Sequence, residues 1–179
     1  MNPLAELVQN FQDLVAQVPE LVKPLIVMLA GAVPFVEGEL AATVGIVGGI
    51  NPVLAAIAAA IGNFVSVLLV VMLTSRARTA VVDRRNASAH GGTMVMEAEP
   101  AQPESKGRVR FRKWLVRFGV PGASILGPLA IPTQITSAML VAGGTSRAWV
   151  LLWQAIAIVL WTTVTTISVW AALTFLVGV

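Results

Sequence analysis

Between residues 3 and 22 the apolar positions Leu4, Leu7, Val8, Phe11, Leu14, Val15, Val18 and Leu21 recur at helical spacing. Gln9, Asn10, Gln12, Asp13 and Gln17 fall mostly between them. The spacing predicts an amphipathic helix, too polar to cross a bilayer and suited to its interface, ended or kinked by Pro19. Residues 25–50 are apolar but interrupted: Pro34 stands mid-way, and Glu37 and Glu39 follow it. The arm before Pro34 would reach ~14 Å as a helix, about half of a ~30 Å hydrocarbon core. A re-entrant hairpin is therefore expected, and such broken backbone is tolerated only where protein or a water-lined cavity surrounds it. Asn51-Pro52 signals a turn. Val53–Thr74 then runs for 22 residues without a charge, a transmembrane helix ended by Arg76 and Arg78.

Residues 75–105 are polar and irregular, with Gly91, Gly92, Pro100 and Pro103, and are expected to form a flexible loop. Residues 106–119, KGRVRFRKWLVRFG, interleave six basic residues with Val109, Phe111, Trp114, Leu115, Val116 and Phe118. Such a segment suits the anionic inner leaflet, where each Lys or Arg near the surface adds about 1 kcal/mol. Residues 120–144 are apolar and broken by Pro121, Pro128 and Pro132. The arm Thr133–Ala142 is ~15 Å of helix, so a second re-entrant hairpin is expected. Ala148–Val179 is uncharged throughout, with Trp149 and Trp153 near one end and Trp170 near the other, as interfacial aromatic belts require.

Composition narrows the class. Of 179 residues 56% are hydrophobic and 12% charged, with mean hydropathy +0.82. A soluble domain carries about twice that charge, so an integral membrane protein is expected. There is no Cys, which excludes disulfides and thiolate metal sites, and the single His90 builds no metal site alone. Ten of the twelve Lys and Arg residues lie between Arg76 and Arg117, and the first 22 residues hold none. The positive-inside rule then places the loop in the cytoplasm, and a cleaved leader with its basic start is not expected. Nucleic acid is the less fitting reading of the basic block in so apolar a chain.

The two halves share an order of parts: an amphipathic helix, a Pro-broken hairpin, a small-residue turn and a long span. Gly48-Gly49 corresponds to Gly143-Gly144, an offset of 95 residues that also carries Glu39 onto Gln134. The first half ends in the cytoplasm and the second starts there. The expected fold is thus all-α and integral to the membrane, one domain over 1–179. It comprises two inverted repeats, 3–74 and 106–179, joined by the cytoplasmic loop 75–105. Paired broken segments in inverted halves are a transporter signature.

The stretches PFVEGELAATVG, GGINP, AAIGN and PLAIPTQITSAMLVAGGTSRAWV resemble the small multidrug export proteins of bacteria, and more distantly the DedA/VTT group of membrane proteins. The resemblance covers roughly residues 30–74 and 114–170. It implies two inward-pointing hairpins that face each other, and a transport function. DedA relatives are implicated in flipping polyprenyl-phosphate lipids and often carry an Arg in the second hairpin. Here Ile131–Ser137 has Thr133 and Gln134 and no Arg.

Glu37 and Glu39 are the leading candidates for chemistry. Carboxylates are costly in hydrocarbon, so those kept there face a cavity or a partner. Burial favours the protonated form of a carboxyl group, which suits a proton carrier. Glu39 ranks ahead of Glu37, because the repeat sets it opposite Gln134. Thr133, Gln134, Thr136 and Ser137 form a polar patch that could bind a headgroup or satisfy backbone freed by the prolines. Asn63 and Gln154 suit interhelical hydrogen bonds. Arg117 and Arg147 could attract an anionic headgroup at the cytoplasmic mouth or anchor the interface.

Together these features lead to an expected multi-pass transporter of the bacterial plasma membrane. It would export a small amphiphilic or cationic compound by proton coupling; the alternative is a DedA-like flippase for a polyprenyl-phosphate or other lipid. No nucleophile triad, metal cluster or phosphate loop is present, so neither an enzyme nor a cofactor or bound metal is expected. The expected partners are membrane lipids, the transported small molecule or lipid, and a second copy in a homo-oligomer, with no nucleic acid.

Overall fold

The computed structural model describes residues 9, 12, 13, 15–90 and 119–177. Gln9, Gln12, Asp13, Val15 and Ala16 are helical, and this helix gives way to a turn before Pro19. Residues 3–8, 10, 11 and 14 of the predicted amphipathic helix, and the basic segment 106–118 with Arg117, lie outside the described residues.

Helix α1, Lys23–Gly31, begins with Pro24 in its first turn, where the missing N–H costs nothing. The turn at Pro34 follows, and Phe35 and Glu37 both take left-handed backbone angles there, with φ of 71° and 51°. Helix α2, Glu37–Val47, leads back and ends in Gly48-Gly49. Gly49 is left-handed at φ 80°, Ile50 N–H bonds Gly45 C=O, and Gly49 N–H bonds Ile46 C=O. This is a Schellman closure, and only glycine takes its left-handed position without strain.

Asn51 then caps helix α3, Pro52–His90: its Oδ1 accepts the N–H groups of Val53 at 3.0 Å and Leu54 at 3.3 Å. Such a cap contributes about 1 kcal/mol. The helix does not stop near Thr74, as its charges suggested. It continues through Arg76, Arg78 and Arg84 to His90, so the first half of the predicted loop is helical. The stretch 75–90 contains neither Gly nor Pro, and Ala and Arg favour helix; Gly91-Gly92 is the first strong stop.

Residues 119–126 are helical and pass into a 3-10 turn, Gly127–Leu129. Pro128 and Pro132 remove the N–H groups that would continue the helix. The nitrogen of Trp161 donates to Ile125 C=O at 2.8 Å and so satisfies one carbonyl freed there. Helix α4, Thr133–Ala142, closes with Gly143-Gly144. Its bonds, Thr145 N–H to Leu140 C=O and Gly144 N–H to Val141 C=O, repeat the closure of α2. Helix α5, Arg147–Ala172, follows and ends in a π turn, Leu173–Val177.

Both α3 and α5 are long and apolar enough to cross a membrane. Only 33% and 22% of their most apolar windows are buried within the fold, which leaves Ile57, Ile61, Leu69 and Leu73 on α3 and Leu152, Ile156, Val159 and Ile167 on α5 facing outward. A soluble core helix would bury that surface. The two glycine turns lie at opposite ends of the uncharged stretch 53–74 of α3. Gly48-Gly49 adjoins its start, whereas Gly144 packs against the guanidinium of Arg78 near its basic end. The core follows this division. Val27, Ala41, Ala42, Ala58 and Ala59 join α1 and α2 to the first half of α3. Val67, Val71, Leu140, Val141, Val150 and Ile158 join the later part of its uncharged stretch to α4 and α5.

Candidate functional site

The two proline turns meet beside Asn63 of α3, midway along its uncharged stretch 53–74. Glu37, the first residue of α2, is 6% exposed. Its Oε1 accepts both the N–H of Thr133 at 2.5 Å and the hydroxyl of Thr133 at 2.6 Å. Thr133 is in turn the first residue of α4, so the contact joins the starts of the two short helices. Thr133 Oγ1 also lies 3.0 Å from Asn63 Oδ1. Gln134 completes the cluster, donating from Nε2 to Asn63 Oδ1 at 3.2 Å and to Ser66 Oγ at 2.9 Å. Ser137 donates to Thr133 C=O at 2.6 Å, which anchors the first turn of α4. Thr133, Gln134, Asn63 and Ser137 are all buried.

Local sequence explains how these groups arrive. Gly62 has no Cβ, so the backbone carbonyl of Met28 in α1 presses directly on α3 one residue before Asn63. Gly38 likewise lets α2 lie against Thr162 of α5, one residue after Glu37. The prolines end each preceding helix, so a new helix start, with its unpaired N–H groups, is created inside the fold.

Two adjoining recesses of about 180 and 210 Å³ open at this point and share Phe35, Glu37, Pro128 and Leu129 in their walls. Glu39, Leu40 and Trp161 line one, and Ala130, Ile131 and Pro132 the other. Phe35 and Leu129 are 73% and 66% exposed, so the rim is apolar while the wall holds a carboxyl group. No basic side chain is among the hydrogen-bond or ion-pair partners of Glu37 within the described residues.

Of the residues singled out from sequence, Glu37, Thr133, Gln134 and Asn63 converge. The two acids are placed differently: Glu39 is half-buried at the recess wall and is not bonded to Gln134, whereas Glu37 occupies the junction. The offset of 95 that matches the glycine turns is one short here, because Glu37 and Thr133 are 96 apart. Thr136 is buried against Gly127, and its hydroxyl has no protein partner. Gln154 is fully buried, but neither amide atom finds the interhelical partner expected of it. Arg147 is exposed at the start of α5, at the end of the fold where Arg78 lies. Sequence reading missed Ser66, although it follows Asn63 by three residues and so shares its helix face. It also missed Thr162, which only the packing of Gly38 reveals. Among the described residues no cluster of His, Cys, Asp and Glu could hold a metal ion.

No family model, curated protein or solved structure matches the chain. What this site can do is therefore argued from its chemistry.

Proposed function

We propose that this chain is a small multi-pass transporter of the bacterial plasma membrane, of the small multidrug export type. It exports a small amphiphilic or cationic compound in exchange for protons. The observation that carries this reading is Glu37: an acid withdrawn from bulk water, without a basic partner among the described residues, at the wall of an apolar-rimmed recess. A carboxyl group so placed exchanges a proton for an organic cation at one site. Glu39, half-buried beside it, is a second negative group that favours a cationic guest.

In this reading α3 and α5 span the bilayer, and 25–50 and 120–144 are re-entrant hairpins related by an inverted repeat. Support comes from the placement of the glycine turns at opposite ends of the uncharged stretch of α3. It comes also from the meeting of the proline turns at Asn63, ~17 Å along α3 from its start, about half of the hydrocarbon thickness. Lipid flipping is the second reading. It is favoured by the exposure of Phe35, Leu40 and Leu129 at the recess, which lets an acyl or prenyl chain stay in lipid while a headgroup enters.

Liposomes that hold a pH-sensitive dye separate the two. Exchange predicts proton movement stimulated by ethidium, a cationic amphiphile; flipping predicts accelerated reduction of a labelled polyprenyl-phosphate by external dithionite. Neither response would overturn both. Topology is tested with single cysteines, since the native chain has none. Re-entrant hairpins put Leu21 outside and Thr145 inside, so Leu21→Cys is labelled by an impermeant maleimide in intact cells and Thr145→Cys is protected. Four full spans predict the reverse.

A further inference from the structure

We propose that Glu37 is the N-terminal cap of α4, supplied across the hairpins, and that it acts as a latch. The tips are held together while its carboxylate is free and ionised, and part when a proton or a cationic guest claims it. The inference rests on the transporter reading for its purpose and deepens it by naming the step that couples occupancy to movement.

Helix α4 starts without a cap of its own. Its N-cap residue is Pro132, which has no side-chain acceptor, and no side-chain cap bond is made from that position. The start of a helix leaves N–H groups unpaired and carries partial positive charge, so a carboxylate there is favoured. Glu37 Oε1 supplies it, and takes the Thr133 hydroxyl as well. Bonds to an ionised acceptor are about twice as strong as neutral ones. A protonated or cation-paired Glu37 keeps the geometry but loses that charge assistance, and the contact weakens on both donors at once.

Two further observations show a contact built to be released. Phe35 and Glu37 are non-glycine residues held left-handed at the tip, a state that persists only while surrounding contacts impose it. Release of Glu37 removes one of those contacts. Thr133 has a single hydroxyl proton, and Asn63 Oδ1 waits 3.0 Å away as its alternative acceptor. When Glu37 gives up that proton, Thr133 can bond to α3 instead, so α4 stays seated while α2 is freed. The groups that face Glu37 make the charge assignment simple. Glu39 is the one titratable neighbour, on the same helix; α3 presents Asn63 and α4 presents Thr133 and Gln134. Beside it α5 presents Thr162, and the turn 128–132 carries no ionisable side chain.

The test measures distance between the tips. Spin labels at Phe35→Cys and Leu129→Cys, both exposed, are compared by double electron–electron resonance in nanodiscs at mildly alkaline and at acidic pH. Leu40→Cys with Ala130→Cys serves if the first pair misfolds. The alkaline sample should give one narrow distance, and the acidic sample a second, longer one. Glu37→Gln should give the acidic distribution at both pH values, and Glu39→Gln should still lengthen the tip distance on acidification. Thr133→Ser should keep the response, and Thr133→Val, which retains only the N–H, should shift the alkaline population toward the longer distance. A native distribution that does not change with pH overturns the latch, as does a Glu37→Gln chain that still responds. Tip movement without proton or lipid transport would leave the latch standing and remove the transporter reading; Glu37-dependent transport with fixed tips would do the opposite.

Discussion

Glu37→Gln is expected to abolish proton-coupled transport while leaving a folded, monodisperse protein. The amide is nearly isosteric and its carbonyl oxygen can still accept from Thr133, so the chain should fold, but without charge assistance the tips favour the parted state. What disappears is the exchangeable proton and the charge that holds a cation. Loss of a positioned proton carrier commonly lowers rates by about 100-fold or more, and a decrease on that order is expected here. Glu39→Gln should be milder, because Glu39 is half-buried and outside the hydrogen-bonded junction. Glu37→Asp is the informative intermediate. Its carboxylate withdraws by one methylene from Thr133, so residual transport with an altered pH profile is expected. The measurement is dye-reported proton flux against pH in liposomes, with ethidium present, after each variant has passed size exclusion. Native rates and an unchanged profile in Glu37→Gln would remove the carboxyl group from the mechanism. A reversal in which Glu39→Gln is the dead variant would return the central role to the acid that the repeat alignment favoured.

The different placement of the two acids marks what sequence could and could not resolve. Hydropathy located both long helices, and the prolines and glycine pairs located both short ones, because each signal is local. The end of α3 was misread because charge was taken as a stop. A charged stretch ends a membrane span without ending a helix, and α3 runs on through it to His90. Glu37, Thr133, Gln134 and Asn63 could be nominated as polar groups in apolar surroundings, but their pairing could not. An alignment of the repeats on their glycine turns carries a one-residue error at the far ends of α2 and α4, since the two helices differ by one residue in length. A shift of one residue moves Glu39 from Gln134 to Ile135 and Glu37 from Pro132 to Thr133. Gln154 marks the other gap: its burial was legible, and its lack of a partner was not.

Gly62→Ala is expected to be the most destabilising small substitution in the first half of the chain. A Cβ at this position would run into the carbonyl oxygen and carbonyl carbon of Met28, which belong to the backbone of α1 and cannot rotate aside. Helix propensity alone favours Ala over Gly by about 1 kcal/mol, so the sign is decided by the clash. Overpacking in a close-packed interior costs ~1–3 kcal/mol and sometimes more, and a fixed backbone neighbour belongs at the upper end of that range. The net expectation is a loss of roughly 1–2 kcal/mol with α1 displaced from α3. Gly45→Ala is the matched control. Its Cβ would lie 3.0 Å from the Ala55 Cβ and from a Val27 γ-methyl, a far milder overlap than the one with the Met28 carbonyl, so its cost should be smaller. Thermal unfolding in detergent, followed for both variants and the native chain, gives the order of stability. The functional consequence follows from position: Gly62 precedes Asn63, so a displaced α1 carries the first hairpin and Glu37 away from Thr133. Transport should therefore fall in Gly62→Ala more than in Gly45→Ala. Stability at or above native in Gly62→Ala would mean that α1 does not approach α3 at that level, and the placement of the first hairpin beside Asn63 would fall with it.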